Sequence, residues 1–166
     1  MNCRPKFRSI SFGVATSIAL LVTLLPWAAA ASRMDVPLVA RRPPLAIGAD
    51  AWKLFRATNE SRERLARSKL RLNRDLSVIA RRHSAAMAQS DELFHTTDVD
   101  IYLRWLSWHV WGENVGYTPG DVASVQHAFM NSAPHRENIL NPAFREVAIG
   151  AVRVGGTLWV TLFFYG

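Results

Sequence analysis

The sequence predicts an α+β domain whose antiparallel sheet, covered by helices, closes in a C-terminal β-hairpin. Three observations carry the α+β reading. Leu76, Ile79, Ala80, His83 and Met87 recur every three to four residues, which draws one apolar face along a helix. Asp121 precedes a second helical pattern, with Val122, Val125, Phe129 and Met130 as its apolar set, ending near Asn131. The chain then finishes with two runs, 147–154 and 157–165, rich in apolar, β-branched and aromatic residues and joined at Gly155-Gly156. Helices first and a hairpin last favour an antiparallel sheet covered by helices.

The elements follow in order. Residues 1–30 read as a signal peptide. Arg4, Lys6 and Arg8 precede an uncharged apolar run, and Ala28-Ala29-Ala30 offers a small-residue cleavage site. The competing reading is an uncleaved anchor, because the run approaches the roughly 20 residues of a membrane span. Pro26 and the Ala-rich exit favour cleavage. Residues 31–47, with Pro37, Pro43, Pro44 and Arg41-Arg42, read as a linker. Residues 48–166 form the domain. Asp50 is expected to cap a helix starting at Ala51, along which Trp52, Phe55, Asn59, Arg62 and Leu65 recur. Asn73 caps the next helix, with Asp75 favouring its first turn through the dipole. A short helical piece is expected over 98–106, and another turn between Pro134 and Pro142. The final strand is apolar at nearly every residue, which suits burial on both faces.

Charge and cysteine content narrow the function classes. Loss of Arg4, Lys6 and Arg8 with the leader lowers the net charge of the 166-residue chain from +7 to +4. No concentrated basic face with stacking aromatics is visible, so nucleic acid is not an expected partner. The arginines between Arg56 and Arg82 read first as solvated helix faces, and second as contacts to an anionic envelope. The one cysteine, Cys3, lies in the leader, so the exported domain is expected to fold without a disulfide. Beyond the leader no stretch is long enough to span a bilayer, and nothing in the pattern specifies an oligomer.

Several segments resemble the CAP superfamily of cysteine-rich secretory, antigen 5 and pathogenesis-related proteins, in its compact bacterial branch. Asn59-Glu60-Ser61-Arg62 resembles the Asn-x-x-Arg of the family's first helix. Leu76, Ala80, His83-Ser84 and Met87-Ala88 resemble its second helix, and Phe94-His95 the histidine that follows. Gly112-Glu113-Asn114 is similar to its Gly-Glu-Asn motif. The stretch from Ser132 through His135-Arg136-Glu137-Asn138 to Leu140 resembles its Ser-Pro-Gly-His-Arg-x-Asn-Ile-Leu segment. The chain departs in having Ala133-Pro134 before the histidine and Ala148 for the first glycine of a Gly-x-Gly strand, with Gly150 kept.

The resemblance implies a three-layer α/β/α sandwich with a central antiparallel sheet, an extracytoplasmic location, and a cleft of histidines and acids carried here by His95, Glu113 and His135. The family's second acid has no counterpart, since about Ser132 stands at its place. Asn114 is expected to hold the loop after Glu113 through side-chain to backbone bonds. Gly112 and Gly116 are expected to permit a tight backbone there. Two imidazoles and a carboxylate suit zinc, with His95 and His135 as metal ligands. The alternative is a hydrogen-bonded polar cleft that needs no cofactor, in which Glu113 orients the histidines or holds backbone amides.

A hydrolase would take a histidine as base and require a nucleophile. Ser132 lacks the Gly-x-Ser-x-Gly elbow and reads more simply as a helix terminator or turn brace. His83 is expected to be a packed histidine bonded to backbone. His109 is expected near a groove, the tryptophans around it in the core, and His127 at solvent or the cleft rim. The functional expectation is a secreted binding module for a lipid or cell-envelope component; the alternative is a metal-assisted hydrolase at the envelope.

Overall fold

The computed structural model describes residues 46–97 and 99–166. The leader and most of the linker lie outside the described residues. Helix α1 spans Ala49–Arg64, strand β1 Arg71–Leu72, α2 Arg74–Ser90 and α3 Val99–Leu103. Strand β2 follows at Trp111–Thr118, then α4 at Val122–Asn131, α5 at Ala133–Leu140, β3 at Glu146–Val154 and β4 at Thr157–Tyr165. The sheet runs in the order β1-β3-β4-β2. β3 and β2 both pair antiparallel with β4, and the two-residue β1 adds a parallel edge that the sequence pattern did not announce.

Hydrogen-bonding side chains set the helix starts. Asn73 accepts from the Leu76 amide at 2.9 Å and Asp121 from the Ser124 amide at 2.9 Å, both as expected. The start of α1 differs. Gly48 is its N-cap, and Asp50 sits in the first turn, where it pairs with Arg153 at 2.9 Å instead of capping. Its buried face is also shifted. Ala51, Leu54, Thr58, Asn59, Ser61 and Arg62 point inward, while Trp52 and Leu65 are exposed.

The sheet is apolar on both sides, and β4 shows how. Leu158, Val160, Leu162 and Phe164 face α1, α4 and α5, with Ala51, Leu54, Val125, Phe129 and Ile139. Phe163 and Tyr165 face α2 and α3, with Leu76, Ala80, Val99 and Leu103. Trp159 lies on that side too, against Met87 and Val115. The alternation is therefore clean, and it looks irregular in sequence only because both faces are apolar. These are the three layers. The hairpin closes at Gly155 and Gly156, whose φ values of 56° and 86° are the left-handed pair a two-residue turn requires. At Gly150 a side chain would run into the Ala80 carbonyl, so this glycine is what lets α2 press onto β3.

Two buried polar groups fasten the layers. Asn59 both donates to and accepts from the backbone of Leu70, at 3.1 and 2.8 Å. The buried Arg62 guanidinium donates to the carbonyls of Ser68 and Ile139 at 2.7 Å each and of Asn141 at 3.0 Å. Burial and the nearby Arg67 and Arg145 pull its pKa below the ordinary arginine value. The Asn-x-x-Arg pair is thus a structural clasp holding the far end of α5. Among the described residues, no helix is long and apolar enough to cross a membrane.

Candidate functional site

Edge strand β2 is the spine of the site. Residues 112–116, expected as a tight Gly-rich loop, are extended and paired with β4, and neither Gly112 nor Gly116 has a positive φ. The glycines serve close approach instead. A side chain on Gly112 would meet Asn138 and Phe144, and one on Gly116 would meet Phe129. Strand alternation then sends Glu113 toward α2 and Asn114 toward α5.

Glu113 is buried with its side chain 2% exposed. Its Oε2 accepts from His95 Nδ1 at 2.6 Å and from the Thr96 amide at 3.0 Å, and its Oε1 accepts from Thr96 Oγ1 at 2.8 Å. His83 Nδ1 approaches Oε1 at 3.7 Å from α2. The carboxylate therefore both orients a histidine and holds a backbone amide. On the opposite face, Asn114 donates to the His135 carbonyl at 3.0 Å. Asn138 donates to the Glu113 carbonyl at 3.1 Å and to Asn114 Oδ1 at 2.9 Å. Asn114, expected to hold a loop of its own, instead straps α5 to the strand through this side-chain to backbone bond.

His135 lies near the start of α5. Its Nδ1 is 2.9 Å from Ser132 Oγ, and its ring packs on Phe129 with centroids 4.9 Å apart. Ser132 ends α4 and begins α5, as a terminator should, yet its hydroxyl makes no capping bond and turns to His135. Burial, and then the charge of the nearby His95, push the His135 pKa below the ordinary imidazole value. His95 is 65% exposed. The structure thus gathers His95, Glu113, Asn114, Ser132 and His135 around one edge strand, with one histidine arriving from each side of the sheet.

Among the described residues no three His, Cys, Asp or Glu side chains gather as a metal-binding group. Both Glu113 oxygens carry hydrogen bonds, and Nδ1 of each histidine has a partner. Two Nε2 atoms remain, which is half of a tetrahedral zinc set.

The other expectations divide. His83 is packed, but its partner is the Thr161 hydroxyl at 3.1 Å, not backbone. His109 and His127 are both exposed. Trp108 packs against the core, whereas Trp111 is exposed and Trp105 is 84% exposed, so the tryptophan cluster does not serve the core as a unit. Thr96, Thr161 and His83 are the site neighbours that sequence reasoning missed. Thr161 carried a signal, because a hydroxyl in the middle of the apolar run 158–164 calls for a buried partner.

Comparisons agree with this fold. The profile of the CAP, or cysteine-rich secretory protein, family matches residues 55–164. The uncharacterized protein YkwD of Bacillus subtilis is 29% identical over 126 residues, covering 72% of this chain and 49% of that protein. The chain therefore spans about half the length of this relative. An extracellular protein containing an SCP domain from Bacillus anthracis superposes with a TM-score of 0.62 at 22% identity, over 70% of this chain and 40% of that one. An outer surface protein of Borrelia burgdorferi superposes with a TM-score of 0.64 at 16% identity, over 73% and 95%. With both the sequence profile and the sandwich in agreement, the chain belongs to the cysteine-rich secretory protein (CAP) family.

Proposed function

We propose that this chain is an exported CAP-type binding module that engages a lipid or cell-envelope component at the His95–Glu113–His135 cleft. The observation that carries this reading is the full occupancy of Glu113. A carboxylate already accepting from His95 and Thr96 is a fixed orienting group, ill suited to shuttle protons. What it leaves for a ligand is Nε2 of His95 and the half-buried ring of His135. Export is supported by the leader-like residues 1–30 and by structural neighbours described as extracellular or surface proteins. N-terminal sequencing of the secreted protein should begin near Ala31; an intact Met1 on membrane-bound protein would favour an anchor.

The binding test uses the mature protein against two probes, solubilised cell-wall fragments and anionic lipid vesicles. Binding to one of them should weaken at least tenfold in His135→Ala. Equal binding by the variant would move the ligand away from this cleft. The reading requires no metal. Zinc held by two imidazoles would be weak and exchangeable, so protein purified without chelator should carry less than one equivalent, removable by dialysis. A tightly held full equivalent would point to ligands beyond these two histidines.

One observation favours a second reading. Ser132 Oγ lies 2.9 Å from His135 Nδ1, within reach for a nucleophile and its base. Burial keeps His135 neutral to lower pH, which suits a base. Against it, among the described residues no carboxylate is bonded to the His135 ring. Covalent labelling of Ser132 by a fluorophosphonate, absent in Ser132→Ala, would establish the hydrolase; an unlabelled serine removes its only nucleophile.

A further inference from the structure

Glu113 has a second imidazole against it, and nothing derived so far uses it. The other groups on this carboxylate, His95 and Thr96, belong to one irregular stretch after α2. His83 alone approaches from within a helix. Its side chain is 10% exposed, and Nδ1 stands 3.7 Å from Glu113 Oε1 and 3.1 Å from Thr161 Oγ1. Ser84 Oγ in turn lies 2.9 Å from Thr161 Oγ1, so a hydroxyl pair from α2 and β4 backs the ring. Phe94 meets the ring edge-on at 5.0 Å, and Phe163 lies at 6.4 Å. Among the described residues Nε2 is buried without a partner, so all polar anchoring of this ring runs through Nδ1.

We propose that His83 is a positioning residue of the cleft. Shielded by Phe94, it donates its single Nδ1 proton to Thr161 Oγ1, and the positive edge of that N–H faces the inner side of Glu113. That fixes Oε1, keeps Oε2 on His95 Nδ1, and so holds His95 in the tautomer whose Nε2 is bare and available to a ligand. The causes are ordinary. A ring proton facing a carboxylate is favoured over a lone pair facing it, and the partner of one imidazole nitrogen decides the state of the other. A contact of 3.7 Å is too long to be a hydrogen bond, so the effect is that of an oriented dipole in a buried, poorly screened place. The role deepens the binding reading given above, on which its usefulness rests. Its test reads the ring nitrogens of His95 and not ligand capture, so the two can fail separately.

The experiment is long-range 1H–15N correlation on the ¹⁵N-labelled mature protein at about pH 8, above the ordinary imidazole value. His95 should carry its proton on Nδ1. His83→Leu should move His95 toward the common Nε2-protonated form. His83→Asn, whose amide nitrogen can stand where Nδ1 stood, should restore the wild-type pattern. Thr161→Val should disturb His95 in the same direction as His83→Leu, without touching Glu113. Unchanged His95 shifts in a folded His83→Leu protein would overturn the proposal. Equal disturbance by Asn and Leu would also overturn it, since that marks a packing effect. If His83→Leu does not fold, Thr161→Val decides alone, and an undisturbed His95 in it rejects the role.

Discussion

At the scale of single residues, the site is organised by where a buried carboxylate finds its donors. Glu113 could not sit 2% exposed without several of them, and the chain supplies three, from His95 and Thr96. Two imidazoles respond to burial instead. His83 and His135 both have pKa values pulled below the ordinary 6.5, in each case chiefly by desolvation. For His83 the Glu113 charge opposes the shift and the His95 charge adds to it. The sign for stability follows. In the unfolded chain both rings take up protons near pH 6.5, while in the fold they resist until lower pH. The unfolded state then binds more protons, so stability rises with pH across that window and is lost as pH falls below about 6.5. Thermal melts from pH 7.5 down to 5 should show a falling midpoint, with a shallower fall in His135→Gln. A midpoint that is flat or rises on acidification would contradict the buried, neutral state of these rings.

At the scale of elements, legibility tracked how local the determining physics was. Asn73 and Asp121 each cap a helix through a bond three residues away, so their roles were readable from the chain. Asn73→Ala should cost about 1 kcal/mol in chemical denaturation, the usual worth of such a cap. A loss well below that would mean that Tyr165, which accepts from Asn73 at 2.6 Å, is indifferent to it as well. Strand β2 was not readable. Gly-Glu-Asn-Val-Gly looks like a turn because its glycines advertise backbone freedom. Their actual use, room for Asn138, Phe144 and Phe129, depends on residues lying 13 to 32 positions further along the chain. The same distance hid Asp50, whose partner Arg153 is 103 residues away, and His83, whose partner Thr161 is 78 residues away. His95, Glu113 and His135 were found only because their flanking motifs resembled a family. Their own spacing says nothing of a shared cleft.

At the scale of the whole molecule, one sheet with two apolar faces carries the fold, and polar clasps decide how the helical layers register on it. Nothing covalent is expected to help, since the lone cysteine is Cys3; melts of the mature protein with and without dithiothreitol should coincide. The clasp with most at stake is Arg62. It reaches from α1 to the backbone carbonyls of Ile139 and Asn141 at the end of α5, and α5 carries His135 and Asn138 onto β2. Truncation to alanine would open a cavity and leave buried carbonyls without donors, two independent penalties. Arg62→Ala should therefore destabilise the domain by about 3 kcal/mol or more. Arg62→Lys, which refills part of the space but lacks the planar fork, should recover only part of that loss. Function should suffer before the fold does. In Arg62→Lys, α5 is still packed through Ile139 but held by fewer bonds, so binding of the cleft's probe should weaken under conditions where circular dichroism is unchanged. A lysine variant with wild-type stability and wild-type binding would reduce Arg62 to a space-filling residue and remove α5 registration from the account of the site.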